Sequence, residues 1–233
     1  MTRAVLFDVD FTLIYPGPMF QGEGYRAFCA KHGMAVDADA FDAAVQSASY
    51  ILEEPDEALY APQMFIDYTK HIIEQMGGRG PGVDACALDI YEAWTGCQHF
   101  VLYDDVSIAL SELAARNVRI GLISNSHRSL ETFQRHFALD GLIDAAISSS
   151  EHGYMKPHPS IFEAALRRLD VHPTEAVMVG DSLRQDIDGA RRVGMRGVLV
   201  RRPDARHAAV DRSGAGLDGV VIIQSLTELL PLL

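Results

Sequence analysis

Ala4-Val5-Leu6-Phe7-Asp8-Val9-Asp10-Phe11-Thr12-Leu13 is the stretch whose reading decides the fold. Four apolar residues run into two carboxylates spaced i, i+2, followed by a threonine and more apolar chain. A short apolar run with polar bounds predicts a buried strand of a parallel sheet. Side chains two apart on extended chain face the same way, so Asp8 and Asp10 are directed at one spot beyond the strand's carboxyl end. Two like charges that close invite a divalent cation, a shared proton, or both. Open α/β sheets place their ligands at such strand ends. The spacing alone is common, since Asp37/Asp39 and Asp186/Asp188 repeat it. Its meaning depends on partners elsewhere in the chain.

The 233 residues suit one large domain, or a core with an inserted subdomain. With 48% hydrophobic and 22% charged residues, the composition is that of an ordinary globular protein with a substantial core. No run of about eighteen apolar residues occurs, which argues against a membrane span. The N-terminus has no secretory-signal pattern, so a cytoplasmic protein is expected. The cysteines, Cys29, Cys86 and Cys97, are odd in number and form no close metal-ligand pair; they read as buried free thiols. A net charge of -12 argues against a nucleic-acid partner, because backbone phosphates need basic surface. Residues 16–100 carry thirteen acidic side chains against four basic ones, a balance of -9, which leaves -3 for the rest. That shift suggests a separate subdomain.

Tyr15-Pro16-Gly17-Pro18 breaks the chain after the first strand. Beyond it the pattern predicts amphipathic helices near 19–32, 38–53, 59–77 and 84–97, ended by Gly33, Pro55, the Gly77–Pro81 cluster and the approach to Phe100. From Val101 the texture changes to helices alternating with apolar strands. Strands are expected at 118–123, 145–147, 176–179, 197–200 and 220–223. Helices are expected from Asp105 to Arg116, from Ser124-Asn125-Ser126 to Phe137, over 159–169, and from Ser182 to Val193. A short last helix is capped by Ser225. Asn117 and Gly194 suit helix ends, Pro159 suits a first helical turn, and 201–218 reads as a surface loop. The alternation predicts a doubly wound parallel sheet in an α/β fold, Rossmann-like, with a core of 1–15 and 101–233 and a helical bundle at 16–100.

Three more strand ends carry polar groups. Ser124, Asn125 and Ser126 at a helix start would offer backbone N–H groups and hydroxyls to an anion, or simply cap the helix. Lys156, between Met155 and Pro157, would suit a phosphate oxygen, although a lone loop lysine is commonly solvated. Gly180-Asp181-Ser182 with Asp186 sets further carboxylates past a buried strand. These suit magnesium, a hard cation that takes oxygen donors, or the positive end of a helix.

In order along the chain, Asp-x-Asp-x-Thr, a strand ending in Ser-Asn, Lys-Pro, and Gly-Asp with a second Asp five residues on resemble the haloacid dehalogenase-like (HAD) hydrolase superfamily. The resemblance spans nearly the whole chain. It implies Asp8 as nucleophile and Asp10 as general acid/base. It sets Ser124, Asn125 and Lys156 on the phosphate of a small phosphorylated substrate. Mg2+ is implied on the Asp8 carboxylate, the Asp10 carbonyl and Asp181, with Asp186 a further candidate, and the helical insertion becomes a cap. Members commonly have glycine where Phe11 stands, and often where Ser126 stands.

A carboxylate attacking phosphorus divides one displacement into two. The expected reaction is therefore magnesium-dependent hydrolysis of a phosphomonoester through an aspartyl-phosphate. With few cations in the insertion, a small singly phosphorylated metabolite is the expected substrate. Arg26, Tyr60, Lys70, Arg79 and Trp94 are candidates to line the cap. A sugar-phosphate mutase, a phosphonate hydrolase or a 2-haloacid dehalogenase are the alternatives on this scaffold, and a non-catalytic binding protein is the remaining one. A monomer or a homodimer fits equally.

Overall fold

The structure, a computed structural model, describes residues 1–53, 59–202, 217 and 219–233. The chain divides into two compact units. The first comprises Met1–Tyr15, Ala58–Tyr60 and Leu102–Leu233; the second comprises Pro16–Glu57 and Ala61–Val101.

In chain order the strands are β1 (Ala4–Phe7), β2 (Ile14–Pro16), β3 (Phe100–Leu102), β4 (Arg119–Ser124), β5 (Ala145–Ser148), β6 (Ala176–Gly180), β7 (Arg196–Val200) and β8 (Val221–Ile223). The helices are α1 (Gly22–Lys31), α2 (Phe41–Glu53), α3 (Pro62–Gln75), α4 (Val83–Ala93), α5 (Val106–Ala115), α6 (Leu130–His136), α7 (Ser149–His152), α8 (Pro159–Leu169) and α9 (Gly189–Arg192).

Six strands of the first unit form one sheet in the order β5-β4-β1-β6-β7-β8, with β1, β4, β5, β6, β7 and β8 paired in parallel. This is the expected doubly wound α/β fold. The apolar run Ala4–Phe7 is fully buried because β1 lies in the interior of the sheet. One face is covered by α8, whose Ile161, Phe162, Ala165, Leu166 and Leu169 pack with Ala4 and Leu6 of β1, Ile123 of β4 and Met178 of β6. Each of the buried Ile, Leu, Phe and Met side chains among them contributes roughly 1.5–3 kcal/mol. α8 begins at Pro159 as expected, and Asn117 and Gly194 take positive φ just past α5 and α9.

Two expectations are corrected. The helix read from Ser124 to Phe137 begins only at Leu130, where Ser129 accepts the Thr132 N–H at 3.2 Å as its cap. Residues 125–128 are bends, because Asn125 and Arg128 are engaged elsewhere. The helix read from Ser182 to Val193 opens as a π-helical turn over Leu183–Asp188 before α9. Strands β2 and β3, which pair with each other where the chain leaves and re-enters the first unit, were not expected.

The loop read over 201–218 lies outside the described residues at 203–216 and 218. Its first two residues are anchored, not free surface: Arg201 donates to the Asp181 carbonyl at 2.7 Å, and Arg202 is buried.

In the second unit, α1 to α4 bury Tyr25, Phe28, Cys29, Ala44, Ile72, Ile73, Cys86 and Ile90. Phe20, Trp94 and Phe100 form an aromatic cluster, with Phe20 and Trp94 ring centres 4.5 Å apart. All three cysteines are buried, and none of them forms a disulfide. Among the described residues no helix is long and apolar enough to cross a membrane.

Candidate active site

β1 runs parallel between β4 and β6, with Phe7 opposite Leu122 on one side and Val179 on the other. That register brings the carboxyl ends of three strands together. Asp8 extends the ladder by one step, its N–H donating to the Val179 carbonyl at 2.9 Å. Asp181 directly follows β6, and Ser124 ends β4. The connection leaves β1 toward β4 on one side and reaches β6 on the other, which is where open sheets hold ligands.

Asp8, Asp181 and Asp186 each offer a carboxylate oxygen within 4.8 Å of the others. Lys156 Nζ donates to Asp8 Oδ1 at 2.5 Å and to Asp186 Oδ1 at 2.6 Å, with its side chain almost wholly buried. Asp186 arrives on the π-helical turn, where Ser182 N–H donates to its Oδ2 at 3.0 Å. Such turns inside helices recur at functional positions. Gly180 is required for this arrangement, since a Cβ there would collide with the Asp186 carboxylate.

The electrostatics follow from three acids sharing one ammonium. Burial, joined by Asp186 and Asp10 and opposed by Lys156, pushes the Asp8 carboxyl up to about 7. Burial and then the neighbouring Asp8 and Asp186 raise Asp181 well above the usual carboxylate range. Burial disfavours the Lys156 charge, but Asp186 and Asp8 outweigh it and hold the ammonium above its ordinary value. Excess negative charge in a largely buried group, presented as oxygen donors, fits a hard divalent cation such as Mg2+.

Asn125 is placed differently from the expectation that it meets substrate. Its Oδ1 accepts the Lys156 N–H at 2.8 Å, and its Nδ2 donates to the Lys156 carbonyl and to Gln185 Oε1, each at 3.0 Å. It therefore braces the lysine loop against the π-helical turn. Ser124 is buried and shares a hydrogen bond with Ser126 at 2.8 Å. Asp10 lies outside the lysine-bridged group, and Arg128 Nη1 donates to its Oδ1 at 2.9 Å. Sequence reasoning missed Arg128, because an arginine four residues past a strand end carries no pattern of its own.

A second missed residue supports the loop that follows β1. Arg202 donates to the Thr12 carbonyl at 2.7 Å and to Asp105 Oδ2 at 2.6 Å, with its guanidinium 4.1 Å from the Tyr103 ring centre. Of the residues considered for the insertion, Lys70 pairs with Asp84 at 2.6 Å, Arg79 donates to the Gly78 carbonyl at 2.6 Å, and Arg26 pairs with Glu23. Trp94 belongs to the aromatic cluster. Tyr60, in the first unit, donates its N–H to the Gly153 carbonyl at 3.0 Å.

The family description "haloacid dehalogenase-like hydrolase" matches residues 2–194. The chain belongs to that family. It is 32% identical to a ribulose-1,5-bisphosphate 5-phosphatase of Halopiger xanaduensis, covering 98% of each chain. It is 28% identical to a glyceraldehyde 3-phosphate phosphatase of Methanothermobacter thermautotrophicus, covering 99% of this chain and all of that one. Among solved structures, a HAD phosphatase from Thermococcus onnurineus superposes with a TM-score of 0.65 at 26% identity, covering 100% of this chain and 97% of that chain. As a HAD-like hydrolase, the chain is an enzyme.

Proposed function

We propose that this HAD-like hydrolase is a magnesium-dependent phosphatase that cleaves a small phosphorylated metabolite through a phosphoaspartate on Asp8. The observation that carries the reading is the buried group of Asp8, Asp181 and Asp186 with Lys156 Nζ bonded to two of them. It combines a nucleophilic carboxylate, oxygen donors for a hard cation and an ammonium for phosphate oxygens. The phosphatases named among the relatives support the same chemistry.

Asp8, Asp181 and the Asp10 carbonyl would hold the cation, with Asp186 at its side. When bound, Mg2+ supplies charge neutralisation for two anions that must meet. An Asp8 oxygen attacks phosphorus and forms the acyl-phosphate bond as the bond to the leaving oxygen breaks. Asp10 gives that oxygen its proton. Asp10 then takes a proton from a water that attacks phosphorus, and the Asp8 carboxylate is regenerated. General acid–base help of this kind is typically worth about 10²–10⁴-fold. Lys156 and Ser124 steady the phosphate oxygens, while Asn125 keeps Lys156 in place. In this reading the helical unit has the part of a cap, as the family resemblance implies.

Phosphate release from a panel of phosphorylated metabolites, with magnesium and with a chelator, tests the reading. Turnover is expected only with magnesium. Asp8→Asn is expected to abolish it with the circular dichroism spectrum unchanged, and borohydride trapping should mark Asp8 in the parent. Turnover by Asp8→Asn at the parent rate, or halide release from 2-haloacids without magnesium in place of phosphatase activity, would overturn it.

A further inference from the structure

Asp10 has to meet a leaving oxygen and later a water, yet it stands apart from the lysine-bridged carboxylates. Its side chain is 19% exposed, and the Lys156 ammonium pairs with Asp8 and Asp186 instead. What reaches it is Arg128, whose side chain is fully buried and whose Nη1 lies 2.9 Å from Asp10 Oδ1. Burying a guanidinium is costly unless it is paired, so the pair is tied in place from the arginine's side. The backbone explains how it gets there. β1 and β4 are parallel neighbours, so the residues beyond their carboxyl ends run side by side. The bends at 125–128, in place of a helix start, turn Arg128 back toward the Asp10 loop.

We propose that Arg128 is a positioning residue for the reaction. It fixes the Asp10 carboxylate so that proton transfer to the leaving oxygen, and then from water, happens without a search over side-chain rotamers. Being fully buried, Arg128 acts through Asp10 and does not touch substrate. A planar donor fork suits this task better than a flexible ammonium. The inference rests on the reading of Asp10 as the proton carrier.

The test uses the full chain with magnesium and an aryl phosphate, whose leaving group departs unprotonated. The first step then needs little from Asp10, whereas hydrolysis of the phosphoaspartate needs it fully. Arg128→Gln is expected to keep a rapid burst of about one aryl alcohol per enzyme. Its steady-state kcat should fall about 10- to 100-fold, the scale of misplacing a catalytic group, with KM little changed. Arg128→Lys should recover part of the loss. In the double variant with Asp10→Asn, the arginine change should cost nothing further.

Burst and steady state falling together, losses that multiply in the double variant, or a raised KM at unchanged kcat would each overturn the proposal. Arg128→Lys, which keeps charge and bulk, carries the same comparison if Arg128→Gln does not fold. A parent-like rate in Asp10→Asn would instead refute the role of Asp10 itself. A slow Asp10→Asn beside a normal Arg128→Gln would refute only the role of Arg128.

Discussion

Phe11 stands where the family resemblance leads one to expect glycine, and its backbone shows why that position favours one. Its φ is +63°, in the left-handed region, and its N–H donates to the Ile14 carbonyl at 2.6 Å as the loop turns back. A side chain with a Cβ costs about 1–2 kcal/mol there, so this loop keeps Phe11 against a local strain. Next to it, Asp8 shows how a site can be less stable than its fold. Its carboxyl titrates near 7 instead of near 3.8, so the folded protein binds more protons than the unfolded chain between those values. The stability from this group is therefore fully present below about pH 3.8 and is lost as pH rises through about 7. Urea unfolding with chelator present should show the parent losing stability relative to Asp8→Asn between about pH 5 and about pH 7.5. Magnesium should stabilise the parent more at the higher pH. An identical pH dependence in the two proteins would show that Asp8 is not held in a proton-hungry state.

At the scale of elements, the site depends on one close approach between β6 and the π-helical turn. Gly180 ends the strand where the Asp186 carboxylate passes over its Cα. Gly180→Ala should destabilise the protein by about 1–3 kcal/mol, the usual cost of overpacking, and should weaken magnesium binding because Asp186 must move. Urea denaturation and magnesium titration by calorimetry check both; an unchanged magnesium affinity would separate Asp186 from the cation site. The elements also show what was legible beforehand. The six sheet strands could be read because each is a short apolar run between polar bounds, and Asp8, Lys156 and Asp181 could be read because they follow such runs or sit against prolines. The start of α6 could not. Ser124-Asn125-Ser126 has the composition of a helix cap, but Asn125 spends its amide on Lys156 and Gln185, and the capping falls to Ser129. Arg128, Arg201 and Arg202 were illegible for a related reason. Their partners, Asp10, the Asp181 carbonyl and the Thr12 carbonyl, are more than a hundred residues away in two of the three cases, and only the assembled sheet brings them together.

At the scale of the whole molecule, charge is unevenly divided between the two units. The inserted stretch 16–100 has a balance of -9, and its Arg26, Lys70 and Arg79 are each already engaged by neighbours in the same unit. A second phosphate on the substrate would bring further negative charge to a chain with a net charge of -12. Two unit charges about 4 Å apart near a protein surface interact by several kcal/mol, and even a largely screened remnant is worth about tenfold in rate. The expected profile over phosphorylated metabolites therefore favours small monophosphates, with kcat/KM at least about tenfold above that for the corresponding bisphosphates. One relative is a phosphatase of ribulose-1,5-bisphosphate and another of glyceraldehyde 3-phosphate, so the panel should hold both kinds of compound. Raising the salt concentration should narrow the gap, because it screens the repulsion that creates it. A bisphosphate turned over faster than every monophosphate, at low and high salt alike, would mean that local cations at the site, and not the charge of the inserted unit, choose the substrate.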